Sequence, residues 1–116
     1  MKILTILNDA PYGTEKSYNG LRLALALAKL PETELQTFLM ADAVFCGKAG
    51  QKTPDGYYDI ERMLRSSLTR QATVGACGSC MDARGLADEE LADGVRRSTM
   101  AELAEWTAAA DKVLIW

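Results

Sequence analysis

Histidine is absent from this 116-residue chain, and with it the side chain that most often serves as general base, proton shuttle or zinc ligand near neutral pH. Cysteine is scarce and odd in number: Cys46, Cys77 and Cys80. Three cysteines, two of them three positions apart, do not make the paired framework of a disulfide-stapled secreted domain, so a reducing, cytoplasmic setting is expected. No apolar run approaches the roughly 20 residues that span a bilayer. The apolar start Met1–Leu7 runs into Asn8-Asp9 without the small-residue cleavage pattern of a signal peptide, so it is expected to open the fold as a strand. A basic stripe is also missing. Thirteen Lys and Arg are interspersed with 16 Asp and Glu for a net charge of −3, which offers phosphate backbones no footprint. Neither a membrane nor nucleic acid is an expected partner.

What is present has the make-up of an ordinary globular domain. With 48% hydrophobic and 25% charged residues, one domain over residues 1–116 can bury a core without covalent staples. Lys2–Asn8 reads as a buried strand and Asp9–Lys16 as a polar loop carrying Pro11 and Gly13. A helix follows from about Ser17, with Tyr18, Leu21, Leu25 and Ala28 on one face and Leu23, Leu27 and Leu30 in a second stripe beside it. So small a domain has too little interior to cover both stripes, so part of this helix is expected to face another copy of the chain. Glu34–Met40 supplies a second strand. The loop from Ala41 to Tyr58 is unusually long, holds a short helical turn near Asp42–Cys46, and is expected to be functional or interfacial.

Asp59 reads as the N-cap of a helix that buries Ile60, Met63, Leu64 and Leu68. A third strand at about Ala72–Ala76 leads into a cysteine-bearing loop, Cys77–Ala87. Asp88–Ala92 suggests a short helix, Val95–Arg97 a weak strand, and Thr99 with Glu102 a capping box for a helix reaching about Ala110. Asp111–Trp116 closes the chain as a strand. This alternation, with right-handed crossovers, predicts an α/β fold: a three-layer α/β/α domain with a mostly parallel sheet of about five strands. Ligands in such sheets sit where loops leave the carboxyl ends of the strands. Asp9–Lys16, Ala41–Tyr58 and Cys77–Ala87 are therefore expected to converge, with Asn8, Asp9 and Asp42 as strand-end polar groups and Tyr12 and Gln51 lining the pocket.

Cys77-Gly78-Ser79-Cys80 concentrates the reactive chemistry. Two cysteines at i and i+3 can serve as a redox pair, as half of a zinc site, or as an attacking thiol with a neighbour that resolves it. Zinc would need two further ligands, and only Cys46 and carboxylates remain to supply them. Gly75, Gly78 and Gly85 let backbone amides approach the sulfur, and the fixed charge of Arg84 is expected to favour the thiolate of Cys77. Cys46, inside the apolar run Ala43-Val44-Phe45-Cys46, reads as packing, and Trp106 and Trp116 as core or subunit contacts. The glycines match neither GxGxxG nor a P-loop. A non-catalytic homo-oligomeric scaffold or a thiol redox sensor remains an alternative to thiol chemistry proper.

Several separate blocks carry a resemblance. They are Asn8–Gly13, Leu21–Leu27, Phe38–Val44, Gly50-Gln51-Lys52, Cys77–Gly85, and the closing Ala104-Glu105-Trp106 through Asp111–Leu114. In this order they resemble the YchN-like branch of the DsrE/DsrF family, small proteins associated with sulfur relay, over nearly the whole chain. The resemblance implies that Cys77, eight positions before the glycine of Arg84-Gly85, is the sulfur-carrying cysteine, and that Cys80 is a feature of the branch. It also implies homo-oligomers, commonly rings of three or pairs of such rings, and sulfur donor and acceptor proteins as partners. Attack of a thiolate on a sulfur–sulfur bond calls for no metal and no organic cofactor.

Overall fold

Apolar runs bounded by turn residues become strands, and the computed structural model describes residues 1–116. The strands are β1 (Lys2–Leu7), β2 (Glu34–Leu39), β3 (Thr73–Cys77), β4 (Val95–Ser98) and β5 (Lys112–Ile115). They form a single sheet in the order β4-β3-β2-β1-β5, and every pairing is parallel. Between them lie α1 (Lys16–Leu27), α2 (Ile60–Leu68), α3 (Gly78–Ala83) and α4 (Met100–Ala109). Two short 3₁₀ helices span Ala41–Gly47 and Asp88–Glu90.

Strand alternation assigns the layers. Register places Ile3 beside Leu35, and both pack with Ala24 of α1; α2 packs against α1 on the same side. The opposite face carries Phe38 beside Gly75 and takes α4. Trp106 meets Phe38 edge-on with ring centroids 6.1 Å apart. A Cβ on Gly75 would stand 3.2 Å from Cη2 of Trp106 and 3.1 Å from Cβ of Ser98, so the missing side chain is what lets the indole lie on the sheet. Helices on both faces make the expected three layers, and the sheet is parallel throughout.

The local differences have physical causes. α1 ends at Leu27 and not near Leu30, because Pro31 disfavours helical geometry in the residue before it. Its buried stripe is Ser17, Gly20, Leu21 and Ala24, of which the small Ser17, Gly20 and Ala24 bring the helix close to the sheet, while Leu23 and Leu30 stay 39% and 54% exposed. The expected loop after β3 is instead a helix, α3, because Cys77 caps it: its Sγ accepts the amide of Cys80 at 3.4 Å. Asp88–Ala92 shortens to the turn Asp88–Glu90. The capping residues behave as expected, Asp59 Oδ1 accepting the Arg62 amide at 3.0 Å and Thr99 Oγ1 that of Glu102 at 3.2 Å.

Candidate functional site

The direction in which each strand hands over to its helix decides where a crevice forms. β1 and β2 leave toward the face of α1 and α2, and β3 leaves toward the same side, since α3 rests on the Ala41–Gly47 turn that packs against α2. β4 alone leaves toward α4. The carboxyl ends of β3 and β4 therefore part in opposite directions, the arrangement in which open parallel sheets bind ligands. A cleft of about 330 Å³ opens there. Its floor is Cys77, Gly78 and Ser79, its wall is Arg97 through Met100, and Asp82 stands at the rim.

Cys77 is the last residue of β3, paired with Ser98 of β4, and is only 4% exposed. Its sulfur lies 3.3 Å from Ser79 Oγ and accepts the Cys80 amide. Burial pushes this thiol up. Hydrogen bonds from the Cys80 thiol, the Ser79 hydroxyl and the amides of Cys80 and Ser79 together outweigh it, so the Cys77 thiol sits below its ordinary value. Cys80 moves the other way: burial and the neighbouring Cys77 sulfur raise it, partly offset by the Ala41 amide and the Arg84 charge. The Ala41 amide donates to Cys80 Sγ at 3.2 Å. The pair is thus asymmetric, with Cys77 the better thiolate and Cys80 the better-held thiol.

Arg84 does not act where the sequence suggested. Its Nε donates to Asp42 Oδ1 at 2.8 Å and its Nη1 to the Cys80 carbonyl at 3.2 Å. The Arg84 charge therefore bears on Cys80, while Cys77 owes its shift to hydrogen bonds. The guanidinium over the first turn of α3 is that of Arg97, so close that a Cβ on Gly78 would fall 2.8 Å from its Nε. Arg97 is held by Asp82 Oδ2 at 2.6 Å and Asp88 Oδ1 at 3.3 Å.

The three expected segments meet, but in two places. Asp42 joins Arg84 and Cys80 on the thiol side. Asn8, Asp9, Tyr12 and Gln51 instead build a separate network beside β1, away from the cleft. Asn8 Nδ2 donates to the Trp116 carbonyl at 3.1 Å. The Asp9 carbonyl accepts from Ser17 Oγ at 2.6 Å and from Cys46 Sγ at 3.8 Å. Tyr12 Oη donates to Gln51 Oε1 at 2.7 Å and accepts the Ile60 amide at 3.1 Å. Gln51 Nε2 donates to the carbonyls of Phe45, Cys46 and Lys48 at 3.3, 3.0 and 2.9 Å, which closes the 3₁₀ turn. These contacts satisfy backbone groups of a long connection; they hold the loop, and none of the four residues lines the cleft.

Ser79, Arg97, Ser98, Thr99 and Met100 are the cleft residues that sequence reasoning passed over. A signal existed. With the sheet growing from β1 through β4 in one direction, the last strand has to return to the far edge, and its crossover then departs from β4 on the opposite face. Thiols and carboxylates nowhere gather in a group of three or more able to hold a metal.

Against known proteins, the model of the DsrE/DsrF-like family matches residues 1–116. The chain belongs to this family. It is 46% identical over 114 residues to protein YchN of Escherichia coli strain K12, with 97% of each chain covered. To an uncharacterized protein of Methanopyrus kandleri it is 39% identical over 114 residues, covering 98% of this chain and 93% of that one. The crystal structure of the ychN protein from E. coli superposes with a TM-score of 0.94 at 45% identity, over 99% of this chain and 98% of that one. A conserved protein of unknown function from Bacteroides thetaiotaomicron, 18% identical, shares the fold with a TM-score of 0.64 over 98% of this chain and 94% of that one. The family to which this DsrE/DsrF-like protein belongs is associated with sulfur relay.

Proposed function

We propose that this protein is a cytoplasmic sulfur carrier in which the Cys77 thiolate accepts a sulfane sulfur from a donor persulfide and passes it to an acceptor thiol. The thiolate attacks the outer sulfur of the donor, a sulfur–sulfur bond forms on Cys77, the donor's own sulfur–sulfur bond breaks, and the donor leaves as its thiolate. The observation that carries the reading is the Cys77 sulfur itself: held below the ordinary thiol range by hydrogen bonds, at a strand end, on the floor of a cleft wide enough for a partner's thiol. A nucleophile of suitable pKa and an approach path are the requirements of thiol–disulfide-type exchange. Family membership supports the same chemistry.

The carrier is further proposed to work as a homo-oligomer, a trimer or a pair of trimers. Leu23 on α1, Leu30 in the turn that follows it and Ile115 on the edge strand β5 are exposed by 39%, 54% and 69%, apolar surface that a second copy would cover. The decisive experiment is intact-mass measurement after exposure to a persulfide donor. Wild type gains sulfur, Cys77→Ser does not, and Cys46→Ser gains it as wild type does. Equal loading of wild type and Cys77→Ser would leave the cysteines a scaffolding or sensing role. Light scattering at micromolar concentration tests the assembly, and a monomer would refute it.

A further inference from the structure

The groups expected to activate the sulfur-accepting cysteine surround its neighbour. Cys80 Sγ receives the Ala41 amide at 3.2 Å, and Arg84, anchored by Asp42 at 2.8 Å, holds the Cys80 carbonyl at 3.2 Å. A cysteine that merely packs needs no such setting, and Cys46, which does pack, has no cation among the groups that act on its thiol. The Cys80 amide donates to the Cys77 sulfur at 3.4 Å, so the sulfur of Cys77 already rests against the residue that carries the second thiol. Cys77 occupies the cap of α3 and Cys80 its third residue, which turns both side chains to the same end of the helix.

We propose that Cys80 discharges the sulfur held on Cys77, releasing it as hydrosulfide and leaving a Cys77–Cys80 disulfide. The step rests on the sulfur-carrier reading, because it begins from the loaded Cys77. Cys80 Sγ attacks the inner sulfur, Sγ of Cys77. The new bond joins the two Sγ atoms, the bond between Cys77 Sγ and the carried sulfur breaks, and its electron pair departs with the carried sulfur. The Cys80 proton goes with that sulfur, so a Cys80 thiol and a Cys77 persulfide anion give the disulfide and HS⁻. The carried sulfane sulfur is reduced to sulfide and the two cysteines are oxidised; one discharge needs no outside oxidant or reductant. Return to the dithiol takes an external thiol reductant, so repeated turnover consumes a dithiol or two monothiols.

The environment suits each part. Cys80 keeps its proton because burial and the Cys77 sulfur raise its thiol, and that proton is what the departing sulfur requires. As the proton leaves, the Ala41 amide and the Arg84 charge face the anionic character that develops on Cys80 Sγ. The exit lies in the cleft between β3 and β4, where Ser79 and Thr99 hydroxyls line the path. The protein would therefore be a persulfide-reducing carrier, its product set by whether an acceptor thiol or Cys80 reaches the loaded Cys77 first.

The test uses the whole reduced protein and inorganic tetrasulfide as donor, with excess donor removed by rapid gel filtration. Intact mass, free hydrosulfide and alkylatable thiols are followed over time. Wild type is expected to release hydrosulfide in step with the loss of two alkylatable thiols, ending as the internal disulfide. Cys80→Ser and Cys80→Ala are expected to hold the added sulfur on Cys77 and to release at least ten-fold less. Arg84→Gln is expected to slow release several-fold, and Cys46→Ser to behave as wild type. If wild type holds its sulfur as durably as the Cys80 variants, the discharge is overturned while the carrier stands. If neither wild type nor the Cys80 variants take up sulfur, the carrier reading itself fails and the discharge with it.

Discussion

Cys46 offers the sharpest test of how burial controls thiol chemistry in this domain. Its side chain is fully buried and its thiol is pushed from 9.0 up to about 12, burial outweighing the hydrogen bond from Ser17. A raised thiol means that the native state keeps a proton the unfolded chain gives up. Its stabilising contribution is therefore whole below pH 9 and is lost as pH climbs toward 12. At about 1.4 kcal/mol per pH unit, the full loss is about 4 kcal/mol, a large share of the roughly 5–15 kcal/mol that holds a domain of this size together. At neutral pH the same shift lowers the native thiolate fraction of Cys46 about a thousand-fold below that of an unperturbed thiol. Iodoacetamide should then label Cys46 only through opening of the fold, at a rate that rises with urea, while Cys77 and Cys80 label in the native state. In denaturant titrations between pH 8 and 11, Cys46→Ala should flatten the alkaline loss of stability. Two results would refute the reasoning: native labelling of Cys46 within ten-fold of Cys80 and indifferent to urea, or parallel alkaline slopes for wild type and Cys46→Ala.

Alkylation of Cys77 across pH should titrate below an ordinary thiol. Ser79→Ala should move that midpoint up and Arg84→Ala should leave it in place while raising Cys80, and an upward move of Cys77 in Arg84→Ala would restore the assignment suggested by sequence. Because Cys77 is lowered, the stability it contributes is present above the ordinary thiol range and is lost as pH falls through its native value. Gly75→Ala places a methyl against Trp106 and Ser98 and should cost about 1–3 kcal/mol in urea unfolding; an unchanged midpoint would show that the indole is free to shift. Tyr12→Phe strips the Ile60 amide and Gln51 of their partner and should cost about 1–2 kcal/mol, with faster hydrogen exchange at Ile60 as its local signature.

The sheet was legible because its central strands are short segments rich in apolar residues between turn residues, as in Lys2–Leu7 and, less continuously, Glu34–Leu39. Capping also reads locally: Asp59 and Thr99 sit where their oxygens meet the next turn's amides. What stayed hidden depends on contacts across the sheet. Arg84 was placed near Cys77 by seven positions of sequence, but a helical turn carries it to Cys80 and Asp42. α3 itself was obscured because a cysteine sulfur, not a Ser or Asp oxygen, fills the capping position. Tyr12 and Gln51 looked like pocket residues since polar side chains in a glycine-rich loop resemble binding groups until their partners, here backbone carbonyls and amides, are seen. The cleft stayed hidden because its wall is β4, which reads only as a weak strand over Val95–Arg97. Val95-Arg96-Arg97-Ser98 has apolar or small residues only at its ends, the pattern of a short edge strand.

That edge position governs how the thiols breathe. β4 is four residues long and has only β3 as a neighbour, whereas β1, β2 and β3 are each flanked on both sides. One wall of the crevice over Cys77 is thus an edge strand, held by its ladder to β3, by buried Val95, by the Arg96 and Ser98 contacts to Glu102, and by the Arg97 pairs to Asp82 and Asp88 at the surface. Detachment of Val95–Ser98 withdraws Val95 from the core cluster but leaves Phe38, Leu4 and Leu64 in place, so as a local opening it costs less than global unfolding. Such opening is expected to widen the approach to a sulfur that is 4% exposed at rest. Access to Cys77 is then expected to vary separately from the stability of the domain, and to rise with ionic strength as the two surface pairs of Arg97 are screened.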